Sequence, residues 1–318
     1  MLNKISLPRE TDTTIKGAYE KFIATKKAMN ISPATINYYD SIMKTFTEFY
    51  GGEGLCKEIT IEAVYGFINY LRERNNKIAD TSINSYLRGL RVIFYYYMEC
   101  GCTAQFKIKL IRAEKKTKEP YSDYELEKLL KKPDTKKCNF SEYRNWAMVC
   151  FLLATGVRLE TLRNIRISDI NFNHNEILLT KTKNKKQYHI PLSDTLNDVL
   201  TDYLRIRGGQ VDDYLFCTQY GNQLTSEGIK TIIPRYNQNR GVTKTSIHLF
   251  RHTFAKNWIL SGGDIFRLQE ILGHSTLDMV KEYVAIFGGD LHNNFNKYNA
   301  LDRMSNITND KTKIRVRD

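Results

Sequence analysis

Side chains suited to phosphate chemistry lie close together between Ile247 and Tyr283. His248 and Arg251 are three positions apart, His274 follows in the motif LGHS, and Tyr283 lies nine positions further on. Two imidazoles, a guanidinium and a phenol are an unusual set for a protein core, but they suit the binding and attack of a phosphodiester. Cleavage without a metal needs an oxygen nucleophile on the protein, and a phenol with a pKa of about 10 ionises far more readily than a serine hydroxyl. This stretch therefore predicts a phosphoryl-transfer site.

Such a reaction also needs fixed cations for the non-bridging oxygens and a general acid for the leaving 5′ oxygen. Arginine serves best as the cation, because its planar guanidinium binds two oxygens and keeps its charge. A lysine or histidine within reach can act as the acid. Arg158 follows Thr155-Gly156 at the end of an apolar run, and Lys183 lies in a basic stretch downstream. With 20 tyrosines in the chain no single member is specific, so the prediction depends on the order of the whole set.

Helical patterns predict how these residues are positioned. Residues 1–11 read as a lead-in, and residues 12–102 show apolar positions at helical spacing that predict a bundle of about four helices. Ser32-Pro33 is a typical helix start, and Thr60 and Asp80 are candidate caps for two further helices. Basic residues on the polar faces could line a DNA groove or form an ordinary solvated surface.

The second half of the chain predicts a separate domain. Residues 103–120 are strongly basic and lack helical periodicity, which indicates a linker that either contacts phosphates or is merely flexible. Residues 121–303 open on a capping box from Ser122 to Glu125 and include two strands, EILLT and QYHIPL, around a basic turn. Residues 304–318 form a polar tail. The predicted fold class is mainly α with a small β-sheet.

Composition restricts the partners and the compartment. The formal net charge of +13 indicates a polyanionic partner, most often nucleic acid, although a basic enzyme without such a partner is the alternative. None of the six cysteines forms a C-x-x-C pair, which argues against zinc and disulfides. No signal peptide or apolar run of about 18 residues is present, so we expect a cytoplasmic protein without membrane contact, metal or cofactor.

The ordered motifs resemble those of the tyrosine recombinases, or phage-type integrases. ATGVRLETLRNIRISDI resembles the first arginine box of that family, HLFRHTFA resembles the second, and ILGHST followed by KEY resembles its continuation. The resemblance covers nearly the whole chain and is strongest from Tyr121 to about Ala300. It implies an N-terminal SAM-like, core-binding bundle followed by an α+β catalytic domain.

The resemblance also implies residue roles. Arg158 and Arg251 would hold the scissile phosphate, and His248 beside it would assist proton transfer around the nucleophile. His274 would bond a non-bridging oxygen. Tyr283 would attack and form a 3′-phosphotyrosine without metal or ATP.

The general acid has alternatives in this sequence, and the residue expected to support the first arginine differs from that usual in the family. Counting back from Pro191 favours Lys183 as the acid that protonates the leaving 5′ oxygen, but Lys181 and Lys185 are close alternatives. The family usually carries an acidic residue three positions after the first arginine, where this chain has Thr161; Glu160 lies one position earlier.

Several other residues are assigned to packing or to the surface. His252, next to Arg251, is expected to have a structural or supporting role, and Trp258 is expected to pack rather than stack on a base. His174, His189 and His292 are expected to be surface or packing residues.

The implied partners are a double-stranded DNA recombination site and further protomers. Strand exchange would pass through a Holliday junction in a tetramer on two paired sites, formed by copies of this chain or with a related recombinase. Residues 286–304 would exchange between protomers. An integrase of a mobile element, a transposon recombinase and a chromosome-dimer resolvase all fit. A DNA-binding protein without catalysis and a type IB topoisomerase are the alternative classes.

Overall fold

A computed structural model of the chain describes residues 13–114, 119–180, 187–273, 276, 281, 283 and 284. The chain divides into two compact units between Thr117 and Lys118, inside the predicted linker. Among the described residues, no helix is both long and apolar enough to cross a membrane. The domain bounds given above stay predictions, and each unit is described by itself.

The first unit is a helical bundle, as predicted. Ser32 accepts a hydrogen bond from the backbone N–H of Thr35, and Pro33 is the first helical residue of the second helix. The predicted cap Asp80 lies one position too far along, because Ala79 is the capping residue and Asp80 already belongs to the helix. The four helices are α1 (Ile15–Ala28), α2 (Pro33–Tyr50), α3 (Ile61–Arg74) and α4 (Asp80–Glu99).

Aromatic side chains form the centre of this bundle. Phe22, Phe46, Phe67 and Phe94 are completely buried. The Phe46 ring lies 5.1 Å from Phe94 and 5.4 Å from Phe67, both edge to face, which is a favourable arrangement for aromatic pairs. The apolar periodicity read from the sequence therefore corresponds to one shared core.

The first part of the predicted linker is held against α4. The Asn84 amide donates to the carbonyl of Ile111 at 2.8 Å and accepts from its N–H at 2.9 Å. Arg91 Nη2 donates to the carbonyl of Ile108, whose side chain is buried. Residues 103–114 thus contact α4 without forming a helix or a strand, and they belong to the first unit.

The second unit combines seven helices with one three-stranded sheet over the described residues. The capping box at its start is present as predicted, with Ser122 and Glu125 bonding each other's backbone N–H groups. Its elements are α5 (Asp123–Leu130), α6 (Phe140–Thr155), α7 (Leu159–Asn164), β1 (Ile170–Asn171), β2 (Glu176–Leu179), β3 (Tyr188–Pro191), α8 (Asp194–Arg207), α9 (Ser226–Asn239), α10 (His248–Leu260) and α11 (Ile265–Leu272).

The buried helix α6 organises this unit. It packs against α5, α8, α9 and α10. The sheet is antiparallel in the order β1-β2-β3, and β2 pairs with β3 so that Leu179 lies opposite Tyr188. The two predicted strands are confirmed, whereas β1 and the bridge between Arg166 and Tyr214 were not predicted.

Gly156 connects α6 to the residues that follow it. Its φ of +61° is left-handed, which favours glycine. A Cβ here would lie 2.9 Å from both Leu272 Cδ2 and Phe254 Cδ1, which is closer than normal contact. The absence of a side chain therefore allows the chain before Arg158 to approach α10 and α11.

Replacing Gly156 with alanine tests this close approach. We expect the free energy of unfolding to fall by about 1–2 kcal/mol from left-handed strain and by about 1–3 kcal/mol more from overpacking. Gly221→Ala is the matched control, because Gly221 has φ +82° but no atom within 4 Å of its added Cβ. Urea denaturation of both variants measures the difference, and equal losses would contradict the packing role of Gly156.

Candidate active site

Arg158 is placed at the start of α7 by the sharp turn at Gly156. It is the capping residue of that helix and its side chain is half-buried. Its Nη1 lies 3.4 Å from the carbonyl oxygens of both Leu272 and Gly273. The first predicted arginine therefore faces the C-terminal end of α11.

Arg251 reaches the same place from α10. Its side chain is 6% exposed, and its Nη1 donates to the carbonyl of Gly156 at 2.8 Å while Nη2 donates to that of Leu272 at 2.7 Å. Burial, followed by the charge of Arg158, lowers the pKa of Arg251 to about 10. The guanidinium remains charged at neutral pH, and both of its terminal nitrogens are fixed in orientation.

The end of α11 is the meeting point of these side chains. The last carbonyls of a helix have no partner within the helix and carry partial negative charge, so they stabilise nearby cations. The carbonyl of Ile271 accepts from the Tyr188 hydroxyl at 3.3 Å, and those of Leu272 and Gly273 face the two arginines. This helix end brings β3, α7 and α10 together.

Tyr283 lies against the second arginine. The phenol is 5% exposed, and a hydrogen bond links it to the Arg251 side chain. Its ring centroid is 5.3 Å from that of His252 at an interplanar angle of 65°. The structure thus brings together three of the six predicted site residues, Arg158, Arg251 and Tyr283, in one unit, and His252 contributes a packing contact to the tyrosine.

The other predicted site residues are placed less fully. His248 is exposed at the first position of α10, and its spacing of three puts it on the same face as Arg251. His274 follows directly after Gly273 but lies outside the described residues, as do Lys183 and the alternatives Lys181 and Lys185.

Glu160 does not take the place of the acidic residue usual in the family. Its carboxylate contacts the Ser226 hydroxyl and Arg163, at 3.1 Å from Arg163 Nη2. Burial raises the pKa of Glu160, but the hydrogen bonds from Ser226 and Arg163 outweigh this effect and lower it overall. Thr161 is buried. Among the described residues, Arg158 contacts the carbonyl oxygens of Leu272 and Gly273 at the end of α11.

Sequence reasoning missed two residues that hold the site in place. Tyr188 shares a strand face with the buried Ile190, so the alternation along β3 was the one available sign that it points inward. Thr253 is completely buried, accepts from the N–H of Tyr121 at 3.0 Å and donates to the carbonyl of Leu249 at 2.8 Å. It ties the start of the second unit to α10.

Trp258 packs within the second unit, and two of the remaining histidines lie on the surface. Trp258 Nε1 donates to the carbonyl of Asp264 at 2.8 Å and its ring packs near Phe254, so the predicted packing role is confirmed. His174 and His189 are exposed, as predicted, while His292 and residues 286–304 lie outside the described part. Over the described residues, no group of three or more His, Cys, Asp or Glu side chains could hold a metal ion.

This arrangement can bind an anion and present a nucleophile to it. Two guanidinium groups share carbonyl partners on one helix end, and a phenol is bonded to one of them. A tetrahedral oxyanion bound by both arginines would be beside the Tyr283 oxygen. Arginine and tyrosine in this combination support attack on a phosphate ester.

The hydrogen bonds of Arg251 predict a stability effect. In Arg251→Lys a single ammonium cannot reproduce two bonds that diverge from a planar group, so we expect the free energy of unfolding to fall by about 1–3 kcal/mol. Arg235→Lys, on the exposed surface of α9, is the control and should change stability little. Urea denaturation compares them; an unchanged midpoint for Arg251→Lys would contradict the bonding described.

Comparisons with known proteins identify the family. The chain matches the phage integrase family over residues 122–288, more than half of its length, and the phage integrase SAM-like domain over residues 14–111. It is 25% identical over 294 residues to the tyrosine recombinase XerC of Lacticaseibacillus casei, covering 88% of this chain and 97% of that protein. It is 27% identical over 269 residues to XerD of Listeria monocytogenes, covering 80% and 89%.

Solved structures share the fold. A Tn1549 transposon integrase in complex with a circular intermediate DNA has a TM-score of 0.72 at 18% identity, over 85% of this chain and 94% of that one. A lambda integrase dimer bound to a core site has a TM-score of 0.69 at 18% identity, over 85% and 95%. The chain belongs to the phage integrase family and is a tyrosine-type site-specific DNA recombinase.

Proposed function

We propose that this recombinase cuts and rejoins DNA through a 3′-phosphotyrosine formed at Tyr283. The observation that carries this assignment is the hydrogen bond between Tyr283 and Arg251, with Arg158 facing the same helix end. The chain has 20 tyrosines, so their number alone singles out none of them. Among the tyrosines that the structure describes, the hydrogen bond to the buried arginine distinguishes Tyr283.

In the proposed first step the two arginines bind the non-bridging oxygens of the scissile phosphate. The Tyr283 hydroxyl gives up its proton, with His248 assisting, as its oxygen bonds to phosphorus. The bond from phosphorus to the 5′ oxygen breaks, and that oxygen takes up a proton from Lys183. Negative charge grows on the non-bridging oxygens in the transition state, and cations fixed in advance stabilise it without reorganising. A neighbouring cation also favours the phenoxide over the phenol.

The remaining roles rest on the sequence. Lys183 protonates the leaving 5′ oxygen, His274 bonds a non-bridging oxygen, and His248 assists proton transfer around the nucleophile. Because the phosphotyrosine keeps the phosphate esterified, a 5′-hydroxyl of a partner strand can reverse the step without ATP or metal. Two such rounds exchange four strands through a Holliday junction.

The proposed assembly is a tetramer on two paired double-stranded sites. Support comes from a solved lambda integrase tetramer bound to a Holliday junction, which shares the fold at a TM-score of 0.69. The relatives include both XerC and XerD, which supports a related recombinase as the alternative second protomer. Integration or excision of a mobile element is the proposed outcome, supported by the likeness to a transposon integrase. We propose a cytoplasmic location, since the substrate is DNA.

A covalent adduct tests the nucleophile. The site is first located by footprinting the DNA that flanks the coding region, and a nicked suicide duplex of that site is then incubated with the protein. Wild-type protein should form an adduct that resists denaturation, and Tyr283→Phe should form none because the attacking oxygen is missing. Tyr220→Phe, at an exposed turn, is the control and should react normally.

The same experiment distinguishes the other classes. An adduct that survives Tyr283→Phe would contradict the assignment of this tyrosine. Specific binding without any adduct in the wild type would indicate a non-catalytic DNA-binding protein. Adduct formation with relaxation of supercoils, but without recombination of paired sites, would indicate a type IB topoisomerase.

Binding should depend steeply on salt. The net charge of +13 predicts many phosphate contacts, each of which releases counterions on binding. For about six to ten such contacts the affinity should fall on the order of 10³-fold or more between about 50 and 200 mM salt. Fluorescence anisotropy with labelled duplex measures this, and an affinity that does not change with salt would contradict a phosphate-based interface.

A further inference from the structure

Tyr121 lies near the point where the chain enters the second unit, and it is buried against α10. Its side chain is 1% exposed, and its ring centroid is 4.6 Å from that of Phe250. Its backbone N–H donates to the Thr253 hydroxyl at 3.0 Å. Phe250 and Thr253 lie on the same helix as His248 and Arg251. The first residues of the second unit are therefore packed on the helix that carries two of the predicted site residues.

A buried amide directs the hydroxyl of Tyr121. Asn237, on α9, is completely buried, and its Nδ2 atom donates at 2.8 Å both to the phenol oxygen and to the carbonyl of Lys244. Because the phenol oxygen accepts this bond, its own hydrogen is left to donate to a carbonyl. The carbonyl oxygens of Lys244 and Ser246 both lie 3.4 Å from the phenol oxygen. One tyrosine and one asparagine thus hold the loop between α9 and α10.

The phenol keeps the hydrogen that these carbonyls accept. Burial raises the pKa of Tyr121 above its ordinary value, and the bond from Asn237 offsets part of that rise. The group is therefore a neutral hydrogen-bond donor at physiological pH.

The side chain of Lys244 fastens the same loop a second time. Its Nζ atom donates to the carbonyl of Pro120 and to the carboxylate of Glu125, both at 2.9 Å. The backbone carbonyl of Lys244 is meanwhile held by Asn237. The loop is therefore bonded to the start of the second unit from two sides.

The start of α10 depends on this loop. The capping residue Ile247 has an apolar side chain and cannot accept the helix N–H groups that a polar cap usually satisfies. The carbonyl of Ser246 instead accepts from the N–H of Leu249 at 3.0 Å, and it also lies in reach of the Tyr121 hydroxyl. His248 is the first residue of α10 and lies between Ser246 and Leu249. Its backbone position therefore follows from the bonded loop.

We infer that Tyr121 is a positioning residue that fixes the first turn of α10 and thereby His248. This inference rests on the proposed function, in which His248 assists proton transfer around the nucleophile. The bonds from the Arg251 guanidinium to Gly156 and Leu272 do not involve Tyr121. Loss of the phenol hydroxyl should therefore displace His248 more than the phosphate-binding arginine.

Tyr121→Phe removes this hydroxyl and keeps the ring that packs on Phe250. A group that assists proton transfer can lose on the order of 10²-fold in rate when it is displaced by about 1 Å. We expect the variant to cleave the suicide duplex roughly 5- to 50-fold more slowly than wild type in single-turnover assays, and to bind uncleaved duplex within about threefold of wild type. Fluorescence anisotropy measures the binding.

Tyr203→Phe is the matched control. Tyr203, on α8, is also completely buried, and its hydroxyl donates to the carbonyl of Leu215 at 3.1 Å. This variant should cleave and bind the duplex like wild type, even if its free energy of unfolding falls.

A double-mutant comparison with His248→Ala tests the route through the histidine. In that background Tyr121→Phe should slow cleavage by less than about twofold further, because the group that it positions is absent. A merely structural loss would slow cleavage by the same factor whether or not His248 is present.

The outcomes separate this inference from the proposed function. Equal slowing by Tyr121→Phe in both backgrounds, no slowing in either, or a loss of duplex affinity as large as the loss of rate would overturn the positioning role. Unchanged cleavage by His248→Ala would overturn it too, since His248 would then have no step to assist. The absence of an adduct with wild-type protein would instead overturn the proposed function itself.

Discussion

The buried guanidinium of Arg251 is the constraint on which the arrangement of this catalytic unit depends. Removing a charge from water costs several kcal/mol unless its donors are satisfied. Here the carbonyls of Gly156 and Leu272 accept from its two terminal nitrogens. Two features allow both carbonyls to face one side chain. Gly156 turns the chain sharply after α6, and α11 ends at Gly273. The requirement to satisfy one cation thus links the consecutive helices α10 and α11 to the end of α6, which is 95 residues from Arg251 in sequence.

The same constraint prepares the site for a phosphate. Arg158 lies close enough to lower the pKa of Arg251, and the carbonyl oxygens that separate them carry only partial charge. Two neighbouring cations at one helix end suit the binding of an anion, and in the proposed reaction that anion is the scissile phosphate. Because Arg251 is oriented before DNA arrives, little reorganisation is needed when charge develops in the transition state. The phenol of Tyr283 is beside that cation, where a phosphoryl group would be attacked.

Much of the fold and part of the site follow from the sequence. Local signals such as Ser32-Pro33 and the Ser122–Glu125 box predict helix starts because they act within a few residues. The predicted cap Asp80 was wrong by one position. Ala79 has the extended backbone of a capping residue, and Asp80 is the first residue of α4. The packing of residues 103–114 on α4 depends on Asn84 and Arg91, which no local pattern reveals. Tyr188 was missed because its role depends on β3 lying beside α11, a contact between elements about 80 residues apart.

The most direct test of the proposed reaction is to identify the residue that becomes covalently joined to DNA. Wild-type adduct can be digested with protease and nuclease, and the peptide that keeps a nucleotide can be sequenced by mass spectrometry. The bond between Tyr283 and Arg251 predicts that the modified residue is Tyr283, linked to a 3′-phosphate. A nucleotide on any other side chain, including Tyr188, or a 5′-phosphate linkage would contradict the account.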